Sequence, residues 1–241
     1  MHATDSTSTK NRKQLFPLEG LKQLCLNHGT LLKLKKNSVL FDERDMAKTN
    51  YIYYLVDGIC SVSGISSTGK EQIFLYQKSG EIIGHVPHLL PGDAMSHPFA
   101  YRRPTILTKT NCLFYQILPE HFLECLHTNS EVSIYLNQQM AHNYSMALAH
   151  LKQMQEDSVV SSVCRVLLQV SVLSKEGLTV PKLFTYGEIS RFLGVHEVTV
   201  SKIIGRLKQE SLITRTPSGL FITDNAELEH IIRHPETFKY K

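Results

Sequence analysis

At 241 residues, 42% of them hydrophobic and 20% charged, the chain has the size and composition of one large or two modest globular domains, which excludes fibrous and disordered classes. No apolar run approaches the ~20 residues that span a bilayer, and the polar opening MHATDSTSTKNRK holds no signal-peptide core, so a cytoplasmic protein with no membrane partner is expected. The net charge is only +4, but from Val160 onward eleven Lys and Arg stand against eight Asp and Glu, whereas Gln14 to Val159 holds twelve against thirteen. A basic excess at the two ends points mildly toward nucleic acid.

Residues 1–13 read as a disordered lead. From about Thr30 to Ile117, short β patterns alternate with turn residues. The run YIYYLVDGICSVSGI holds two strand-like stretches meeting at Asp57-Gly58, a hairpin signal. SSTGKEQIFLYQKSGEIIG repeats the pattern around Gly69 and Gly80, HVPHLLPGDAMSHP reads as loop, and TILTKTNCLFYQI returns to strand. Strands at roughly ten-residue spacing suggest a small β barrel or roll, and 14–127 is expected to be one domain. Cys25, Cys60, Cys112, Cys125 and Cys164 are scattered without CxxC spacing, so neither a disulfide framework nor a zinc knuckle is expected. They suit a protein core, with a redox role open for one pair.

The period then changes. From Glu131 to about Glu156 there is no Gly or Pro, and Met140, Tyr144, Ala147, Leu151 and Met154 recur at heptad spacing. A second stripe, Ile134, Ala141 and Leu148, is expected to lie against the β unit. A helix with two apolar stripes suits contact with its own domain and with a second copy of the chain, so 128–157 is expected to be a dimerisation helix. Burial of both stripes within one chain is the alternative.

The remaining segment, 158–241, reads as a DNA-binding domain. A helix is expected from Ser158 to Ser174, with KEGLTVPKLF as a link. In TYGEISRFLG, Thr185 and Glu188 have capping-box spacing, Ile189, Phe192 and Leu193 point inward, Gly194 stops the helix and Val195 is expected to be a buried plug. In HEVTVSKIIGRLKQ, Val200, Ile203, Ile204 and Leu207 fall on one face and Glu197, Val198, Ser201, Lys202 and Arg206 on the other. Helix, short turn and helix make a helix-turn-helix, LITRTPSGLFITD adds a two-stranded wing, and Asp224 caps a last helix, NAELEHIIRH. The second helix of such a pair enters the major groove. There Glu197 can accept from cytosine, Lys202 can donate to guanine or phosphate, and Val198 can pack on a thymine methyl. Thr185, His196 and Thr199 would meet the phosphate backbone and position the domain.

With these motifs in view, the chain from about Phe16 to about Leu228 resembles the CRP/FNR family of transcription regulators. The roll shows in KNSVLFDERD, YIYYLVDGICSVS, GKEQIFLY and GEIIG, and the helix pair in EISRFLGVHEVTVSKIIGRLKQESLI. GVHEVTVS is similar to the signature of the halorespiration (CprK-like) subgroup, whereas most of the family has Glu where Val198 stands. The resemblance implies an α+β chain: an N-terminal cupin-like double-stranded β-roll of the cyclic-nucleotide-binding type, a long dimerisation helix, and a C-terminal winged helix-turn-helix. It also implies a homodimer on an A·T-rich inverted repeat of double-stranded promoter DNA, with RNA polymerase as a further partner if the protein activates. Lys202 stands where the family usually has Arg, which removes the bidentate fork.

The resemblance further implies a signal sensed in the roll. For a cyclic nucleotide, Glu81 and Arg102 match two expected positions, but RRP replaces Arg-Ser-Ala and His150-Leu151 replaces the helix hydroxyls. The N-terminal cysteine cluster of iron–sulfur members is absent. His85 is a conceivable haem ligand, although two loop histidines in HVPH do not make a metal site. No cofactor is expected. An organic, mostly apolar effector, anionic or phenolic and halogenated in the halorespiration group, would be met by Tyr76, His85, Met140, Asn143 and Tyr144. Asn143 replaces that group's lysine, and His85 or Arg102 would supply positive charge in its place. Redox or haem gating is the alternative. A cupin-type metalloenzyme is the rival class, but GHVPH has the wrong spacing and no later strand supplies the further histidine.

Overall fold

The computed structural model describes residues 16–42, 50–65, 69–90, 104–174 and 177–240. The expected lead at 1–13 and Arg102 lie outside the described residues. Two compact units are present, Met1–Gly64 with Phe74–Ser145, and Ile65–Ile73 with Met146–Lys241, so the division falls inside the long helix.

The chain opens with α1 (Glu19–His28) and continues through β1 (Gly29–Leu34), β2 (Val39–Phe41), β3 (Ile52–Asp57), β4 (Ile59–Ile65), β5 (Glu71–Lys78), β6 (Ile82–Ile83), α2 (Val86–Leu89), β7 (Thr105–Thr108) and β8 (Cys112–Ile117), all in the first unit but for Ile65 and the first three residues of β5. The strands form two four-stranded sheets, in orders β1-β8-β3-β6 and β2-β7-β4-β5. The double-stranded roll expected from the sequence is therefore present. Asp57-Gly58 is not a hairpin: β3 and β4 lie in different sheets, and the single residue between them cannot reverse the chain. Gly58, at φ 114°, passes the strand from one sheet to the other.

Both faces of β3 are covered, which is why YIYYLV reads as one apolar run. Ile52, Tyr54 and Val56 pack with Leu21, Leu24, Phe122, Val132 and Leu136 from helices, whereas Tyr53 and Leu55 join Phe41, Ile83, Ile106 and Phe114 inside the roll. Each such side chain contributes about 1.5–3 kcal/mol on burial. The opening of HVPHLLPGDAMSHP is the short helix α2 and not loop, with Pro87 near its start where a missing N–H costs nothing.

After α3 (Pro119–Thr128), α4 runs unbroken over Ser130–Glu156. Its inward stripe is not Ile134, Ala141 and Leu148, all of which are exposed. Val132, Leu136 and Gln139 are buried instead. The buried stripe includes an amide because Gln139 is fully used: it accepts from the Ile82 N–H at 2.8 Å and donates to the Ile82 carbonyl at 2.8 Å. The helix thus supplies hydrogen bonds to the edge strand β6, and the Tyr135 hydroxyl adds one to the Gly80 carbonyl at 2.8 Å.

In the second unit, α5 (Val159–Val170) is capped by Ser158, whose side chain accepts from the Ser161 N–H. It ends four residues before the expected Ser174: the end of the expected helix is the strand β9 (Val172–Ser174), which pairs antiparallel with β10 (Gly177–Pro181) inside the expected link. Next come α6 (Tyr186–Leu193), α7 (Glu197–Gln209), β11 (Ile213–Arg215), β12 (Gly219–Ile222) and α8 (Asn225–Arg233). The sheet order is β11-β12-β10-β9, so the wing strands continue onto that hairpin. Gly219 is required there, because a Cβ would collide with the Val180 carbonyl. Among the described residues, no helix is long and apolar enough to cross a membrane.

Candidate nucleic-acid interface and effector cavity

Local chemistry sets the geometry of α6 and α7. Thr185 begins α6 by accepting from the Glu188 N–H at 3.2 Å. The reciprocal half of the capping box is replaced: the Thr185 N–H donates to Leu183, and the Glu188 carboxylate takes Arg191 at 2.6 Å. Gly194 ends the helix at φ 68° in the left-handed region. The turn is pinned by the Ser190 hydroxyl donating to the Val195 carbonyl at 2.6 Å. Val195 is half-buried and so a partial plug only, because this hydrogen bond, more than side-chain packing, fixes the turn.

On α7, Val200, Ile203, Ile204 and Leu207 are each 0% exposed. Glu197, Val198, Ser201, Lys202 and Arg206 are exposed, Val198 at 67%. Thr185 and His196 are exposed and Thr199 is half-buried, all at the adjoining helix starts. The structure therefore brings the expected groove-facing residues to one side. Arg206 among them pairs with Glu210 at 2.8 Å, and the Glu197 carboxylate lies close over Gly187, where a Cβ would come within 3.1 Å of it. Lys208, on the flank, donates to the Tyr186 hydroxyl at 2.7 Å and ties α7 to α6.

In the first unit, a cavity of about 430 Å³ opens inside the roll, a volume suited to a small organic molecule. Its wall is mostly apolar, with Phe41, Val62, Phe74 and Ile106 from the strands, Tyr51 just before β3 and Met140 from α4. The polar groups on it are Gln77, His85 and Asn143. Gly84, at φ 82°, turns the chain so that His85 reaches the cavity, and a Cβ there would come within 3.0 Å of the Tyr51 carbonyl. Gln77 Oε1 and His85 Nδ1 are buried without a hydrogen-bond partner.

Three of the expected effector contacts, His85, Met140 and Asn143, line this cavity, and Tyr76 and Tyr144 do not. Tyr144 is 68% exposed on another face of α4, and Tyr76 alternates with the lining residues Leu75 and Gln77 along β5. Nor can His85 supply positive charge. Burial pushes its pKa down to about 4, against a hydrogen bond with the Ile82 backbone, so the ring is neutral at pH 7. Glu81, one of the two cyclic-nucleotide matches, is not on the lining, and its carboxylate accepts from the Lys78 N–H at 3.2 Å. Gln77 and the apolar wall were missed from the sequence, although alternation along the strands could have found them.

Of the expected dimer residues, Met140, Tyr144 and Leu151 are exposed and Ala147 is half-buried in the single chain. The Met154 side chain lies outside the described residues.

A family model described as a Crp-like helix-turn-helix domain matches residues 150–231. A second, described as a cyclic nucleotide-binding domain, matches residues 31–129. The cAMP-activated global transcriptional regulator CRP of Haemophilus influenzae is 24% identical over 213 residues, covering 87% of this chain and 91% of that protein. The c-di-GMP responsive global regulator CLP of Xanthomonas campestris superposes with a TM-score of 0.71 at 16% identity, over 86% of this chain and 100% of the other. CprK complexed with OCPA gives a TM-score of 0.63 at 16% identity, over 89% and 94%.

Proposed function

The chain belongs to the CRP/FNR family of transcription regulators, and from that premise we propose that it acts as a homodimer that binds an A·T-rich inverted repeat in promoter DNA under control of a small aromatic effector. As a regulator of this family it is a DNA-binding protein and not an enzyme. The observation that carries the DNA reading is the split of α7: four apolar side chains are wholly buried while Val198 stands exposed between Glu197 and Lys202. An apolar side chain held in the open beside charges suits a thymine methyl, and Lys202 suits guanine or phosphate. Two copies would place two such helices in successive major grooves, so the site would be an inverted repeat in the cytoplasm's DNA. As an activator, the dimer would also contact RNA polymerase.

The cavity supports a neutral effector. His85 and Gln77 each present a buried atom that lacks a partner, and the neutral imidazole can accept a hydrogen bond. A halogenated phenol in its protonated form, with one donor on an apolar ring, has matching chemistry and size. Kinship with the halorespiration subgroup rests on GVHEVTVS and is part of this proposal. Selection of bound sequences from random duplexes, with and without a panel of phenols, tests both halves. The expected result is an inverted repeat enriched in A·T pairs and bound more tightly with one of the phenols. Enrichment of no sequence would overturn the DNA reading, and enrichment indifferent to every phenol would overturn the effector class.

Redox gating is a second reading, favoured by one distance. Cys60 Sγ lies 3.9 Å from Cys112 Sγ, both buried and reduced. The hydrogen bond between the two thiols holds the Cys112 pKa down at about 6 and raises that of Cys60. With a hydroperoxide as oxidant, the Cys112 thiolate would take one oxygen as sulfenate and release the other as water or alcohol. Cys60 would then displace hydroxide, which leaves as water, and form the disulfide. Peroxide treatment should remove two titratable thiols and change operator affinity in the parent and not in Cys112→Ser. An unchanged thiol count or an unchanged affinity would overturn this reading.

A further inference from the structure

Beyond α8 the chain makes a 3-10 turn, Pro235–Thr237, and then Phe238 is buried at 6% exposure. The turn is closed by the Thr237 N–H and hydroxyl, both donating to the His234 carbonyl, at 3.1 and 2.7 Å. Phe238 therefore anchors the tail, and the two residues after it are placed by that anchor. Lys239 is exposed and Tyr240 half-buried, and together with Lys202, Gly205, Arg206 and Gln209 of α7 they line an open concavity of about 510 Å³. Three cations converge there. One of them, Arg206, is paired with Glu210, which does not line the concavity.

Gly205 adds an independent observation. It sits inside a 13-residue helix, where glycine is among the poorest helix formers. Among the described residues nothing crowds it: a Cβ built there would meet no atom within 4 Å. A helix residue with no side chain, at the floor of a cationic concavity, fits the close approach of something outside the chain.

We infer that the second half of α7 and the C-terminal tail form a cradle for the phosphodiester backbone of bound DNA, with Lys239 and Arg206 on the phosphates and Gly205 giving the backbone room. The inference rests on the groove reading of α7 and extends it past residue 231, where the helix-turn-helix match ends. Base edges would be read by the first turns of α7, and the cradle would hold the strand that flanks them. Contacts of this kind carry affinity without sequence preference.

The test uses the full-length dimer with its selected operator and with a scrambled duplex of equal length, over a series of salt concentrations. Loss of one phosphate contact in Lys239→Ala should lower the slope of log affinity against log salt by about 0.9, and should weaken both duplexes by the same factor. Gly205→Ala should bind both duplexes more weakly with a thermal midpoint equal to or above the parent's, so that misfolding does not explain the loss. A Lys239→Ala slope equal to the parent's, or a Gly205→Ala that binds as the parent does, overturns the cradle. Val198→Ala and Lys202→Ala keep the two readings apart. If they change sequence preference while the cradle variants have no effect, the cradle alone fails; if they too have no effect, the groove reading fails with it.

Discussion

Lys202 and Val198 are adjacent in space and ask different things of DNA. A lysine on guanine or phosphate makes a charge-assisted hydrogen bond, and its loss leaves that partner unmet. Lys202→Ala is therefore expected to cost about 1–3 kcal/mol at the selected operator. Fluorescence anisotropy with operator and scrambled duplexes would measure this, and equal affinity of mutant and parent for each duplex would refute the assignment. His85 makes a prediction of another kind. Its folded pKa of about 4 lies below the ordinary 6.5, so the unfolded chain takes up the proton first. Its contribution to stability is fully present above pH 6.5 and is lost as the pH falls from there toward 4. Burial also lowers the pKa of His150, so the comparison is between parent and His85→Gln. From pH 7 to pH 5 the parent should lose more thermal stability than the variant, and parallel losses would rule out a buried neutral imidazole.

The helix pair of the second unit was legible almost residue by residue, because the rules that govern it are local. A capping threonine, a left-handed glycine and a 3.6-residue apolar period lie within 25 residues, Thr185 to Gln209. The first unit was legible as a class and less so in detail. β3 and β4 are both strands, but whether Asp57-Gly58 folds them together or hands the chain across depends on which strands are available to pair, and β8 and β7 pair with them from 42 to 65 residues along the chain. α1 went unread because only Leu21, Leu24 and Cys25 mark its inner face, barely one turn of periodicity. α4 was read as a helix with its inward stripe placed wrongly, at Ile134, Ala141 and Leu148. The side against the roll carries Gln139 and Asn143, which hydrophobic periodicity passes over, whereas the exposed side is richer in apolar residues. The cavity was legible only through His85, Met140 and Asn143, since its apolar wall comes from strands whose curvature no local pattern encodes.

For the whole molecule, that exposed side is the feature with the largest reach. Ile134, Met140, Tyr144, Leu148 and Leu151 are 40–68% exposed along one helix, and contiguous apolar surface of this kind marks an interaction face. If a second copy covers it, a charge there should separate the pair. Leu151→Glu is expected to elute as a monomer in light-scattering chromatography and to lose most operator affinity, since one half-site then holds alone. A monomeric parent would remove the dimer from the proposal. The fastening of Gln139 to Ile82 has its own bearing on signalling. Two residues separate the clasped Ile82 from His85, and the clasp grips strand through both its donor and its acceptor. A guest that nudged the strand would pull, through that clasp, on the very helix whose other side lies bare.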